Sequence, residues 1–146
     1  MKPQNPINIS LASAEDAHVI ARLNLLFNGE NETAEAIAAR MSDPACVEMV
    51  ILAKIYGDTV GFALVRVVPT ILYGSPHAEL TELYVMEEYR QRGIASALIA
   101  FAETLAAQKG ARSILIQTGN NNTPALFLYR KNGYEKYDVT LIKYLK

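Results

Sequence analysis

Arg90-Gln91-Arg92-Gly93-Ile94-Ala95-Ser96 is the stretch of this sequence whose residue types and spacing are most suited to chemistry. It follows the strand-like run Leu83-Tyr84-Val85-Met86 through a short polar loop and opens directly into a helix-like run. A helix N-terminus carries unpaired backbone N–H groups and the positive end of the helix dipole, so it accepts phosphate readily. Gly93 lets backbone approach a ligand closely, and Ala95 keeps the surface low. Arg90 and Arg92 add positive charge, and Ser96 can donate a hydroxyl hydrogen bond. The chemistry predicted is the holding of a phosphorylated ligand. The plainer alternative is a glycine that eases a strand-to-helix turn between solvated arginines, because short glycine loops recur by chance. The loop lacks the Gly-x-x-x-x-Gly-Lys-[Ser/Thr] of nucleoside-triphosphate sites. It also has one glycine where a dinucleotide loop uses three.

The elements that must position this loop can be read along the chain. Ile7-Asn8-Ile9-Ser10-Leu11 alternates as a first strand. Ser13 reads as an N-cap, with Glu15 and Asp16 in the first turn of a helix over residues 14–27 that Gly29 closes. Thr33 caps a second helix through Met41, ended by Asp43-Pro44. Residues 47–56 and 59–68 read as a hairpin about a Gly57-Asp58 turn. Residues 69–76 form a loop and 78–86 a strand, and 93–109 form an amphipathic helix with Ile94, Leu98, Phe101, Ala102 and Leu105 on its apolar stripe. A short strand over 113–118, a helix over 124–131 with proline first, and a closing strand over 139–145 complete the order. The expected class is α/β (mixed α+β), a mixed sheet with helices on both faces.

The whole-chain properties narrow the function classes. A length of 146 residues suits one domain, residues 1–146, with one core. A formal net charge of −1 gives no bulk attraction for nucleic acid or an anionic membrane, so neither is expected as a partner. The two histidines, His18 and His77, lie far apart, and no metal is expected. Cys46 is the sole cysteine, permits no internal disulfide, and between Ala45 and Val47 reads as a buried apolar residue. The opening residues lack a leader pattern and no run reaches membrane-spanning length, so a cytoplasmic protein is expected.

Two spaced motifs carry a family resemblance. Arg90-x-x-Gly93-x-Ala95, preceded by Leu83-Tyr84-Val85, is similar to the [Gln/Arg]-x-x-Gly-x-[Gly/Ala] signature of GNAT acetyltransferases. Asn122-x-x-Ala125-x-x-x-Tyr129-x-x-x-Gly133-Tyr134 resembles the second motif of that family. The resemblance covers nearly the whole chain. It implies a mostly antiparallel sheet of about six to seven strands, splayed between the fourth and fifth. It implies acetyl-CoA as co-substrate and acetyl transfer by direct attack of a primary amine of a small molecule or peptide. Dimers are frequent in the family. On the same carry-over, the backbone of Leu83, Tyr84 and Val85 holds the pantetheine arm. The amides of Gln91, Arg92, Gly93, Ile94, Ala95 and Ser96, with Arg90 beside them, hold the pyrophosphate, and Asn122 contacts the coenzyme from the other side.

Direct attack needs a neutral amine and an acid for the departing thiolate. Tyr129 is the candidate acid, since a phenol with a pKa of about 10 is protonated at neutral pH. Glu79 and Glu82 are the candidate bases on the strand leading into the cradle. Glu79 stands where the histone-modifying branch of the family has its catalytic glutamate, and Glu82 lies just before Leu83. Strict alternation puts the two on opposite faces, although a bulge would alter that count. A water chain with no dedicated base is the third option. Tyr73, His77 and an acidic rim of Glu30, Glu32 and Glu35 are candidates to frame the acceptor. The competing readings are a non-catalytic coenzyme-A-binding sensor and some other phosphate-binding α/β enzyme.

Overall fold

The computed structural model describes residues 6–146; of the leader reading, Met1 through Asn5 lie outside the described residues. The strands are β1 (Ile7–Leu11), β2 (Glu48–Ile55), β3 (Asp58–Val68), β4 (His77–Val85) and β5 (Leu115–Ile116). The helices are α1 (Ala17–Asn28), α2 (Ala34–Ser42), α3 (Ile94–Gln108) and α4 (Thr123–Lys131). The strands form one sheet in the order β1-β2-β3-β4-β5, antiparallel except for the parallel β4–β5 pair.

Helices cover both faces, as the mixed pattern required. On one face α3 buries Ile94, Leu98, Ile99 and Ala102 against Ile51, Ala63, Val65, Leu80 and Val85 of the sheet. On the other, Ile20 and Leu23 of α1 pack on Val50, Leu52 and Phe62. Full burial of a side chain such as Leu98 contributes about 1.5–3 kcal/mol, which is why this mainly apolar helix is fixed to the sheet. The entry to α1 is a single 3-10 turn, Ala14–Asp16, held by a capping box between Ser13 and Asp16.

Several expectations are corrected. The sheet has five strands among the described residues, not six to seven. Residues 139–145 do not form a closing strand, and β5 shrinks to the pair Leu115–Ile116 because only Glu79 and Leu80 of β4 reach it. The hairpin tip is Tyr56-Gly57, both with positive φ (48° and 90°), and Asp58 already belongs to β3. Left-handed geometry at both central residues matches the twist of the flanking strands. Cys46 is exposed rather than buried, since it lies in the short connection before β2 and its Sγ meets the Glu48 carbonyl at 3.5 Å.

The feature of the sheet that matters most is a bulge in β4. Leu64 of β3 pairs with Glu82 and Val65 with Leu80, leaving Thr81 as an extra residue. The slip restores phase: Leu80, Leu83 and Val85 share the α3 face, while Tyr84 faces α1 and α2. Glu82 and Glu79 therefore lie on the same face, not on opposite ones.

Candidate active site

β4 pairs with β5 only at Glu79↔Leu115 and Leu80↔Ile116, so beyond Leu80 the two strands diverge. The gap is a cleft of about 850 Å³ between β4, the start of α3 and the start of α4. Its β4 side is the backbone of residues 81–85, whose edge toward β5 has no strand partner. An unpaired strand edge is what an extended amide-containing ligand would complete by adding as a further strand.

At one end of the cleft the chain turns into α3. Gln91 and Gly93 both have positive φ (60° and 81°) with Arg92 between them. Alternating handedness of this kind curls successive N–H groups toward one side and makes an anion-binding nest. Gly93 is the N-cap of α3 and supplies no side-chain cap, whereas α2 is capped by Thr33 and α4 by Asn122. The first amides of α3 are thus left without the side-chain acceptor that the neighbouring helices have, beside the cleft that Gly93, Ile94, Ala95 and Ser96 line. The sequence offered close approach as the reason for Gly93; its left-handed φ is a second one.

The arginines divide. Arg90 lines the cleft, with its Nε donating to the Val85 carbonyl at 2.9 Å and its guanidinium 5.8 Å from the centre of the Tyr84 ring. Arg92 does not line it. Its guanidinium donates to the Glu88 carbonyl at 3.1 Å and sits 5.3 Å over the Tyr89 ring, bracing the loop from outside. Asn122 lines the cleft, while its Oδ1 accepts from the Ala125 amide at 3.4 Å and its Nδ2 donates to Thr118 Oγ1 at 3.3 Å. Ser96 Oγ accepts from Asn132 Nδ2 at 3.2 Å, tying α3 to the end of α4.

The two glutamates also separate. Glu79 forms a 2.5 Å ion pair with Arg66 across the β3–β4 ladder, with His77 Nε2 at 3.9 Å, and it does not line the cleft. Glu82 does line it and, among the described residues, makes no ion pair. Partial burial pushes its carboxyl above the ordinary glutamate value, a side-chain hydrogen bond with Asn28 pulls it back, and Glu48 pushes it up further. Tyr129 lines the opposite wall. Burial pushes its phenol above the ordinary tyrosine value, and the charge of Glu82 raises it further. Tyr134, the last residue of the same motif, serves packing instead: its hydroxyl donates to Glu103 Oε1 at 2.9 Å and its ring lies edge-on to Tyr129 with centroids 6.1 Å apart.

Other residues reach the site that the sequence reading did not select for it. Phe27 and Asn28, the last residues of α1, arrive from a distant part of the chain: Phe27 stacks on Tyr84 with centroids 5.0 Å apart, and Asn28 Nδ2 also donates to Asn24 at 2.8 Å. Glu48 accepts from Thr81 Oγ1 at 3.3 Å. Residues that end a helix or sit on another strand carry no local signal for such a role. Conversely, Tyr73 is exposed and outside the cleft, and Glu32 is taken up by Arg40 at 2.9 Å. Glu30 and Glu35 are exposed and do not line it. Among the described residues no group of three or more His, Cys, Asp or Glu side chains comes together to hold a metal ion. No helix among them is long and apolar enough to cross a membrane.

The comparisons with known proteins agree with this geometry. The chain is 32% identical over 142 residues to the uncharacterized N-acetyltransferase YhfO of Bacillus subtilis (strain 168), covering 89% of this chain and 91% of that one. It is 29% identical over 119 residues to mycothiol acetyltransferase of Arthrobacter sp. (strain FB24), covering 77% of this chain and 35% of that protein. The fold is that of an aminoglycoside acetyltransferase, meta-AAC0020, from an uncultured soil metagenomic sample, with a TM-score of 0.84 and 20% identity over 98% of this chain and 99% of that one. It is likewise that of the aminoglycoside N-acetyltransferase AAC(6')-Iy in complex with CoA, with a TM-score of 0.81 and 24% identity over 100% and 99% of the two chains. The model of the acetyltransferase (GNAT) family matches residues 15–134, a span that contains the splayed strands, the α3 cradle and Tyr129, and the chain is an acyltransferase belonging to that family.

Proposed function

We propose that this chain transfers an acetyl group from acetyl-CoA to the primary amine of a small molecule or peptide, with Glu82 as the base and Tyr129 as the acid. The observation that carries the assignment is the different bonding of the two glutamates. Glu79 is neutralised by Arg66, whereas Glu82 faces the cleft with a raised carboxyl and Tyr129 within its field. The cradle at Gln91, Gly93, Ile94, Ala95 and Ser96 suits the pyrophosphate, with Arg90 adding charge. The open backbone of Leu83, Tyr84 and Val85 suits the pantetheine amides, although the Val85 carbonyl already accepts from Arg90. Arg92 contributes through its backbone and through bracing Tyr89.

In the reaction the neutral amine nitrogen attacks the thioester carbonyl carbon, a C–N bond forms and the C–S bond breaks. The proton shed by nitrogen passes to Glu82, and the phenolic proton of Tyr129 passes to the departing sulfur. Return of a proton from Glu82 to the phenolate, through water, resets both groups. A carboxyl raised toward neutrality is a better-matched base than an ordinary glutamate, and a phenol raised by burial stays protonated throughout the working range.

The test is release of free coenzyme A over a panel of amines: polyamines, amino acids, peptide N-termini and aminoglycosides, the compounds named for the structural neighbours. Turnover of at least one amine with acetyl-CoA is expected. Tight acetyl-CoA binding with no thiol release across the panel would assign the chain to a sensor role instead.

A further inference from the structure

Glu48, the first residue of β2, is exposed and lies more than thirty residues before the cradle, yet its side chain reaches the strand that lines the cleft. It stands opposite Arg66 of β3, which stands opposite Glu79 of β4, so the three form one row across the sheet. That placement invites an ion pair between Glu48 and Arg66. Arg66 is already engaged, because its guanidinium holds Glu79 at 2.5 Å, and among the described residues Glu48 makes no ion pair. Instead, Glu48 Oε1 accepts from Thr81 Oγ1 at 3.3 Å, across β3. The Thr81 hydroxyl also lies 3.4 Å from the Leu64 carbonyl, so its one proton is shared between β2 and β3. Thr81 is the extra residue of the β4 bulge, where the ladder no longer fixes the chain. Glu82 follows it directly, and both line the cleft.

We propose that Glu48 is a positioning residue for the acetyl transfer, a role that rests on Glu82 being the base: through Thr81 it holds the bulge so that the Glu82 carboxyl is presented to the acceptor amine. The first link is mechanical. Bonded to both neighbouring strands, the Thr81 side chain supplies at the bulge the anchorage that the interrupted ladder does not. The second link is electrostatic. Burial is the larger cause that pushes the Glu82 carboxyl up, the Asn28 hydrogen bond from α1 opposes it, and the charge of Glu48 pushes it up further. The other titratable groups around Glu82 are Tyr129 and Lys131 of α4, Arg90 before α3, and the Arg66–Glu79 pair with His77 along β3 and β4. Arg66 and Glu79 offset each other, which leaves Glu48 as the uncompensated charge of its row.

The experiment is the pH profile of kcat/KM for an amine that the unaltered chain acetylates. Glu48→Gln keeps an oxygen to accept from Thr81 and loses the charge. Its plateau should stay within about twofold of the unaltered chain. Its acidic inflection should move to lower pH, because Glu82 works deprotonated and loses a charge that holds its proton on. Thr81→Val keeps the branched shape and loses the hydroxyl, so kcat should fall about three- to tenfold with acetyl-CoA affinity unchanged. Thr81→Ser should restore it. Adding Glu48→Ala to Thr81→Val should shift the inflection with no further loss at the plateau, since the hydrogen bond is already gone. The Glu48→Gln arm holds even where Thr81→Val fails to fold. With the acidic limb abolished in Glu82→Gln, an unmoved inflection in Glu48→Gln, or a folded Thr81→Val as active as the unaltered chain, would overturn the role of Glu48. An acidic limb that persists in Glu82→Gln would instead overturn the base assignment, and the role of Glu48 with it.

Discussion

Gly61 offers a test of how tightly the floor of the cleft is built. It lies on β3 opposite Ala53 of β2 and Val85 of β4. A Cβ added there would stand 2.7 Å from the Tyr84 carbonyl oxygen and 3.3 Å from Val85 Cγ2. The nearer atom is backbone within a ladder and has no rotamer through which to retreat. Ordinary contact begins near 3.4 Å, so β4 must yield by several tenths of an ångström. Overpacking of this kind costs about 1–3 kcal/mol. At roughly 2–4 °C per kcal/mol for a chain of this size, Gly61→Ala should lower the melting midpoint by about 2–12 °C. The displaced residues, Tyr84 and Val85, are those whose backbone edge borders the cleft, so acetyl-CoA should also bind more weakly. Thermal and urea unfolding read the first effect and calorimetric titration with acetyl-CoA the second. Gly74→Ala, where an added Cβ meets nothing within 4 Å and φ is not positive, is the control and should change neither by more than about 0.5 kcal/mol. If Gly61→Ala matched that control in both midpoint and affinity, the argument from close approach would be refuted.

Three further outcomes are expected. Glu82→Gln should lower kcat/KM by about 10²–10⁴-fold and abolish its acidic limb, whereas Glu79→Gln should leave the limb in place; loss of the limb in Glu79→Gln alone would reverse the assignment. Because the Asn28 hydrogen bond holds the Glu82 carboxyl down, Asn28→Ala should move the inflection of kcat/KM to higher pH, since the base works deprotonated and activity rises as pH passes its pKa. An unmoved inflection in an active Asn28→Ala variant would remove Asn28 from that role. Tyr129→Phe should reduce kcat by about 10²-fold or more with little change in acetyl-CoA affinity, and unchanged turnover would exclude Tyr129 as the acid.

The cradle was legible because every cue for it is local: a strand, a polar loop, Gly93 and the apolar stripe of α3 are contiguous. The place of Tyr129 on the cleft wall was legible through motif spacing. Which of Glu79 and Glu82 lines the cleft was not, because it depends on events across strands. Arg66 must be brought opposite Glu79, and the Thr81 bulge must reset the phase of β4; the run Leu80-Thr81-Glu82-Leu83 signals neither. Asn28 and Phe27 reach the site only because α1 ends above Tyr84, a tertiary fact. Residues 139–145 have a strand's composition but form no strand, because composition does not supply a partner edge.

The bulge at Thr81 also bears on how the cleft stays open. A bulge bends its strand and sharpens the local twist, and here it falls immediately after the last β4 residue paired to β5. Removing Thr81 would keep Glu82, Tyr84 and the apolar residues on their present faces, since the extra residue is what the alternation does not need. A straightened β4 would then continue its ladder along β5 beyond Leu80 and close the cleft proposed to hold the coenzyme. On this account one codon separates the open, splayed sheet from a closed one, a change expected to raise stability while removing the cleft proposed for acetyl-CoA.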